Sequence, residues 1–499
     1  MLENCTICNK QAGVGRDEGK DTCPLLMASY ILAGLAMMLN IRLSYSSAPY
    51  ALIRFRLPEN LFSVFVRRMA SALELWCLPS MLLGNIMDLS VKSAMKLSGD
   101  LGDNAGNSKF IKFWVITIPS IICQWLNFLT YVILLVVYLI GGDQGRLTTF
   151  YFVIAISGFV FGINMTLVYS ADYNYTPVYI AGENSFPALT SFIHYLTTLM
   201  FGNRRKWNSD YLIVCVDIVV AIIISFAAAV VWSVAYGHYA GTYPETIPSA
   251  SEDLSGKLQH IFANAFGGEF KSEAISPALM IVVGMGLVYA IYPGIAPGMI
   301  VPFYLIDKIE MVLLIATIFP PVLIALFNKG EFGAKDKSPK SEYPFNGWTQ
   351  KGAWYWHLID LLIVTKITLA AIFIYCLHYR DSNLSRSIVN QPKMSTALSI
   401  VFYMCHEILL AVGFSGIIGN GGGDLILIPQ YIGALFMIFL AFYSEGYIIE
   451  YKSHDPAHWP TTGMTKWNAF CYWCKRASKI TNHNLRSLFT TDLRGLSFY

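Results

Sequence analysis

The sequence predicts an all-α, polytopic transmembrane helical bundle of about eleven spans. Three observations predict it. Apolar residues fill 55% of the 499 positions and charged residues only 13%, about half the charged share of a soluble globular chain. The apolar residues gather into runs of roughly 20, the length a helix needs to cross about 30 Å of hydrocarbon. These runs follow one another along most of the chain. In lipid their backbone must bond internally, which selects helices over open strands.

The span cores fall at 25–41, 69–89, 113–140, 149–170, 185–201, 211–236, 276–304, 309–327, 356–378, 396–418 and 427–449. The first follows a polar segment (Lys10, Arg16, Asp17, Glu18, Lys20) without a small-residue cleavage site, so it is expected to remain in the protein. The second follows Arg67 and Arg68 and contains Glu74 and Pro79. Arg67 and Glu74 are seven residues apart, on one helical face, and are expected to screen each other. The fourth carries Gly158 and Gly162, a small-xxx-small face for close helix packing. The fifth is interrupted by Pro187 and His194.

The sixth, Tyr211–Tyr236, is the cleanest run, with Asp217 as its single acid. Two turns into the helix, Asp217 is expected near the headgroups. In the seventh, Pro293, Gly294, Pro297, Gly298 and Pro302 must break or kink the helix. The eighth contains Pro320-Pro321. The ninth holds Asp360 and Lys366, which about 600° of helical turn places on different faces. Lys366, near mid-span, must therefore find a partner on another helix or line water. His406-Glu407 lies mid-way along the tenth. The eleventh ends near Glu445, which is expected to snorkel.

Polar stretches divide the chain into a short N-terminal segment (1–24), six spans (25–236), a central loop (237–275), five spans (276–449) and a basic tail (450–499) read as an appendage. The net charge of +3 gives no reason to expect nucleic acid as a partner. Lys and Arg in alternate polar segments mildly favour a cytosolic C-terminus. Cys5/Cys8 and Cys471/Cys474 form two CxxC pairs. An odd span count sets the termini on opposite sides of the membrane and forbids one shared zinc site, so no metal is expected.

No enzyme is expected either: the chain has no Walker loop, no GxSxG and no HExxH, and no cofactor or catalytic residue is assigned. What remains are polar groups at membrane depth: Asn40, Glu74, Asn164, Glu183, Asp217, Asp360, Lys366, His406, Glu407 and Glu445. Each costs on the order of 3 kcal/mol to insert, so such groups usually face protein or a watery path. With broken helices beside them they favour a transport pathway. A channel, or a non-transporting surface antigen or scaffold, is the alternative.

Several stretches resemble the equilibrative nucleoside transporters. The first span, Gly34 to Leu39-Asn40 and on to Tyr50, is similar to that family's first helix, with Leu39 where the family has Trp. Tyr175-Thr176-Pro177 through Gly182-Glu183-Asn184 is similar to the link into its fifth helix, which places Glu183 at the family's substrate-contacting Gln. Tyr292-Pro293-Gly294 resembles its seventh-helix Phe-Pro-Gly, and the division into six and five spans matches. Between Met311 and Phe327, however, there is no charge where the family has an Asp and an Arg. Related expanded multi-pass families of piroplasm parasites fit the same pattern.

The resemblance implies a major-facilitator-like 6+5 arrangement in a multi-pass protein of the plasma membrane that moves a nucleoside or nucleobase. Asn40, Glu183, Lys366 and Glu407 would contact the solute, and Pro293, Gly294, Pro297 and Gly298 would form the hinge. The lipid bilayer is the other partner; the oligomeric state stays open.

Overall fold

The computed structural model describes residues 24–37, 48, 51–52, 55–58, 61–97, 111–140, 147–203, 206–237, 272–329, 338–339, 354–420, 425–455 and 458–487. Among them every regular element is helical. The helices of the first set are α1 (Pro24–Met37), α2 (Phe62–Leu97), α3 (Ile118–Leu139, after a π-helical turn at Phe113–Thr117), α4 (Leu147–Ala171), α5 (Thr176–Phe201) and α6 (Ser209–Gly237). The second set holds α7 (Ile275–Ile291), α8 (Phe303–Ala316), α9 (Phe319–Lys329), α10 (Asp360–His378), the short α11 (Asn383–Val389), α12 (Pro392–Gly419) and α13 (Leu427–Lys452). A last helix, α14 (Lys466–Ser487), follows. Prolines open α5 and α12, where the missing N–H has no intrahelical partner to lose, while Pro119 follows closely on the π-helical turn at Phe113–Thr117 inside a continuous helix.

Among the described residues nine helical stretches are long and apolar enough to cross a membrane, against the eleven expected. The protein is an integral, multi-pass, all-α membrane bundle. The other two expected spans coincide with shorter apolar stretches among the described residues, Pro24–Met37 in α1 and Phe192–Phe201 in α5. The first half of α5 places Thr176, Glu183 and Asn184 against protein.

Five pairings recur in the two sets. Taking α8 and α9 together as a second span, first packs on fifth (α1 on α5, α7 on α13) and second on fourth (α2 on α4, α8 and α9 on α12). First also packs on third and on fourth, and third on fourth, in both. Between the sets the relation is an exchange: α2 meets α13, and α5 meets α8, α9 and α12. The sets therefore touch along two seams.

Small residues make the tightest crossings. A Cβ on Gly158 would lie 2.1 Å from the Leu73 carbonyl oxygen, so the expected glycine face packs α4 on α2. Gly34 meets the Tyr179 carbonyl in the same way, at 2.2 Å, where α1 crosses α5.

Two expectations need correction here. The tail is not merely a polar appendage: α13 runs on to Lys452, and α14 folds back onto it. Glu445 does not snorkel. It is 2% exposed, because α14 covers that end of α13. The central loop lies almost wholly outside the described residues.

Candidate functional site

Buried charge concentrates first at the α2–α13 seam. Residues 61–74 are buried on every side, although this stretch includes Arg67, Arg68 and Glu74. Arg67 Nη2 donates to Glu74 Oε2 at 3.2 Å, the expected one-helix screening pair. Arg68 crosses the seam: its Nε donates to Glu445 Oε1 at 3.4 Å. Ser71 Oγ, one turn on, donates to Glu445 Oε2 at 2.6 Å. The carboxylate of the second set is thus held by two groups of the first.

Beside this knot the seventh span breaks. Regular helix ends at Ile291, and 292–300 continue as turns. Their backbone bonds are local, such as Gly298 N to Pro293 O (2.9 Å) and Val301 N to Pro297 O (2.9 Å). Irregular backbone at membrane depth is tolerated only inside protein or along a cavity, and Pro293, Gly294 and Pro297 are buried. The absent side chain of Gly294 leaves room for the Arg67 stem, 3.1 Å from where a Cβ would stand. The break and the charge knot are in contact.

The second polar group lies inside the second set. Lys366, 0% exposed, donates from Nζ to the Gly284 carbonyl of α7 at 2.6 Å. His406 Nδ1 donates to the same oxygen at 2.8 Å. The Lys366 ammonium also stands 5.1 Å from the Phe402 ring centroid, a cation–π distance. Glu407 is 1% exposed and within electrostatic range of Lys366. Lys366 therefore finds its partner on another helix, as its mid-span position requires, and both members of His406-Glu407 are interior. Asp360 goes elsewhere, accepting from Ser276 Oγ at 2.8 Å.

The third group sits at the α5 seam. Glu183 is 8% exposed and within electrostatic range of Tyr169 and Tyr179. These two rings meet edge to face at 5.3 Å, and Tyr169 reaches across to Phe414 of α12 at 5.7 Å. Phe414 is seven residues from Glu407, on the same helical face. The buried Tyr179 hydroxyl and Asn184 Oδ1 have no hydrogen-bond partner among the described residues.

Of the sequence-derived solute contacts, Lys366 and Glu407 are brought together, and Glu183 lies across the seam by way of Tyr169 and Phe414. Asn40 is outside the described residues. Its approach is anchored: the Ala36 carbonyl accepts from Asn127 Nδ2 (3.2 Å) and Tyr131 OH (3.1 Å). Asn164 of α4 accepts from Gln124 Nε2 at 3.3 Å and so is tied to a neighbouring helix. Asp217 is 2% exposed and accepts from His194 Nδ1 at 2.7 Å, tying α6 to α5.

Sequence reasoning missed Glu310, buried in α8, which accepts a hydrogen bond from the Tyr292 hydroxyl. It sits one residue before the charge-free stretch that begins at Met311. The Tyr292 ring also packs on Tyr403 at 4.7 Å, and Tyr403 on His406 at 5.5 Å. Glu310, the break and the Lys366 group form one continuous contact chain.

No protein-family model matches the chain, and no curated protein matches it. Among solved structures it is similar to a partially occluded inward-open conformation of the xylose transporter XylE from E. coli, with 12% identity, a TM-score of 0.46, and coverage of 95% of this chain and 99% of that one. At that identity no residue role transfers.

Proposed function

We propose that this chain carries a small polar solute across the bilayer by alternating access, the six-span and five-span bundles rocking against each other. The observation that carries this reading is the repeated pairing pattern. Two helix sets share five internal pairings and meet along two seams. Repeats of this kind, with polar groups at their interface, are the architecture in which one half moves against the other around a fixed site.

The solute is a nucleoside or nucleobase, and the membrane is the plasma membrane. Glu183 and Asn184 accept hydrogen bonds from the solute, and the Tyr169, Tyr179 and Phe414 rings offer faces for a planar base. Lys366 and Glu407 line the second set, and Asn40 contributes from the first span. Pro293, Gly294, Pro297 and Gly298 form the hinge, where a broken helix can change shape without stripping a regular ladder of its bonds. The likeness to equilibrative nucleoside transporters supports this substrate class. The absence of charge between Met311 and Phe327 weighs against it, and Glu310 is the nearest buried acid in that span.

Proteoliposomes loaded with unlabelled solute and offered labelled adenosine, hypoxanthine or xylose test it. The expected result is saturable uptake of the first or second, accelerated by solute on the far side. Saturable uptake of xylose alone would reassign the substrate. Unitary conductance steps would replace a carrier with a channel. No flux of any kind would leave a non-transporting membrane protein.

A further inference from the structure

The tail helix has no task in the transport cycle just described, yet it is bound tightly to the second set. Thr481 Oγ1 donates to the Phe442 carbonyl at 3.0 Å. The Ala477 carbonyl stands 2.5 Å from where a Gly446 Cβ would be. Arg476 Nε donates to Glu450 Oε1 at 2.6 Å. The partners rise along one helix as they fall along the other, so α14 runs antiparallel to α13. Trp473 is buried in a ring cluster, with centroids at 4.9 Å to His378, 5.6 Å to Trp459 and 6.1 Å to Tyr451. Because His378 ends α10, the cluster clamps the tail onto two helices.

One turn beyond Thr481 the tail reaches the seam. Asn484 Nδ2 donates at 3.2 Å to Glu445 Oε1, the same oxygen that receives Arg68. Glu445 is therefore held from three sides: Arg68 and Ser71 of the first set, and Asn484 of the tail. A buried carboxylate needs donors for its lone pairs, and each one removed leaves a desolvated acceptor.

We infer that α14 is a strap on the α2–α13 seam, with Asn484 a positioning residue that holds Glu445 in place for Arg68. While the strap is seated the seam stays shut; when α14 lifts, the tie between the sets loosens. This rests on the reading of that seam as one that opens during transport.

The test uses the full chain in lipid nanodiscs with Ser63→Cys, a buried position at the start of α2. The rate of labelling at position 63 by a soluble maleimide is read by peptide mass spectrometry. Asn484→Ala should raise it roughly tenfold or more, as loss of a hydrogen bond to a charged group. Asn484→Asp should raise it further, because a second carboxylate then faces Glu445. Asn484→Gln should bring it back toward the parent value. That ordering by charge is not what simple loss of tail packing would give. If Arg68→Ala raises labelling while the Asn484 variants leave it unchanged, the strap is overturned. If Arg68→Ala has no effect either, the seam does not open there and the strap has nothing to hold. Uptake is measured on the same variants. Labelling that follows the charge at position 484 in a protein that moves no solute keeps the strap and removes the transport reading. Solute flux with labelling indifferent to Asn484 removes the strap alone.

Discussion

The two seams between the helix sets are built from different materials. At α2–α13 the contact is ionic: Arg68 and Ser71 hold Glu445, with the Arg67–Glu74 pair alongside and α14 over the end. At α5 it is aromatic: Tyr179 packs on Tyr169 and Tyr169 on Phe414, with Glu183 nearby. An ion pair in a dry interface has one good geometry, and breaking it strands a charge. Ring contacts keep much of their attraction through small shifts. The first seam is thus tied to one geometry, and the second tolerates small displacements.

The largest expected effect breaks the ionic side of this contrast. Arg68→Ala leaves Glu445 buried without its cation and should lower stability by about 3–5 kcal/mol, read from thermal unfolding in detergent. The double variant Arg68→Ala/Glu445→Ala should recover most of that loss. Equal losses in single and double variants would show that the pair does not hold the seam.

A smaller effect is expected within the first set. Gly34→Val drives a branched side chain into the Tyr179 carbonyl, 2.2 Å from the new Cβ. It should cost about 1–3 kcal/mol as overpacking. A variant as stable as the parent would mean that α1 and α5 are not tightly fixed to each other, and that the α5 seam is less firmly anchored than described.

Lys366→Met tests the second polar group. It removes a donor to the Gly284 carbonyl and a positive charge in range of buried Glu407, and should lower stability by about 1–3 kcal/mol. Uptake should fall roughly tenfold, a change of about 1.4 kcal/mol in transition-state binding. Unchanged uptake would make Lys366 a packing residue.

The smallest change is Tyr179→Phe. Its hydroxyl has no partner among the described residues, so its removal should alter stability by less than about 0.5 kcal/mol. The half-saturating concentration for uptake should still rise several-fold. A loss of stability above about 1 kcal/mol would place that hydroxyl in the packing of the aromatic seam.

Much of this molecule was legible before any fold was known, and the reasons are local. The length and apolarity of a run such as Tyr211–Tyr236 report on lipid directly. Arg67 and Glu74 lie on one helix, where spacing alone sets their distance. The prolines and glycines of 293–302 break a helix whatever surrounds it. The mid-span place of Lys366 required a partner beyond its own helix, but could not say that it would be the Gly284 carbonyl.

What only the tertiary structure decided is whatever depends on two segments far apart in the chain. Glu445 at the end of a span looks free to reach water until α14 and α2 are seen to close over it. Asp217 has no visible partner on its own helix until His194 of the neighbouring helix is placed against it. Glu310 is unremarkable until Tyr292 and Tyr403 join it to the Lys366 group. A residue's type and spacing fix the cost of burying it; whether it is buried, and which distant group offsets that cost, is set by helix packing, which local sequence does not encode.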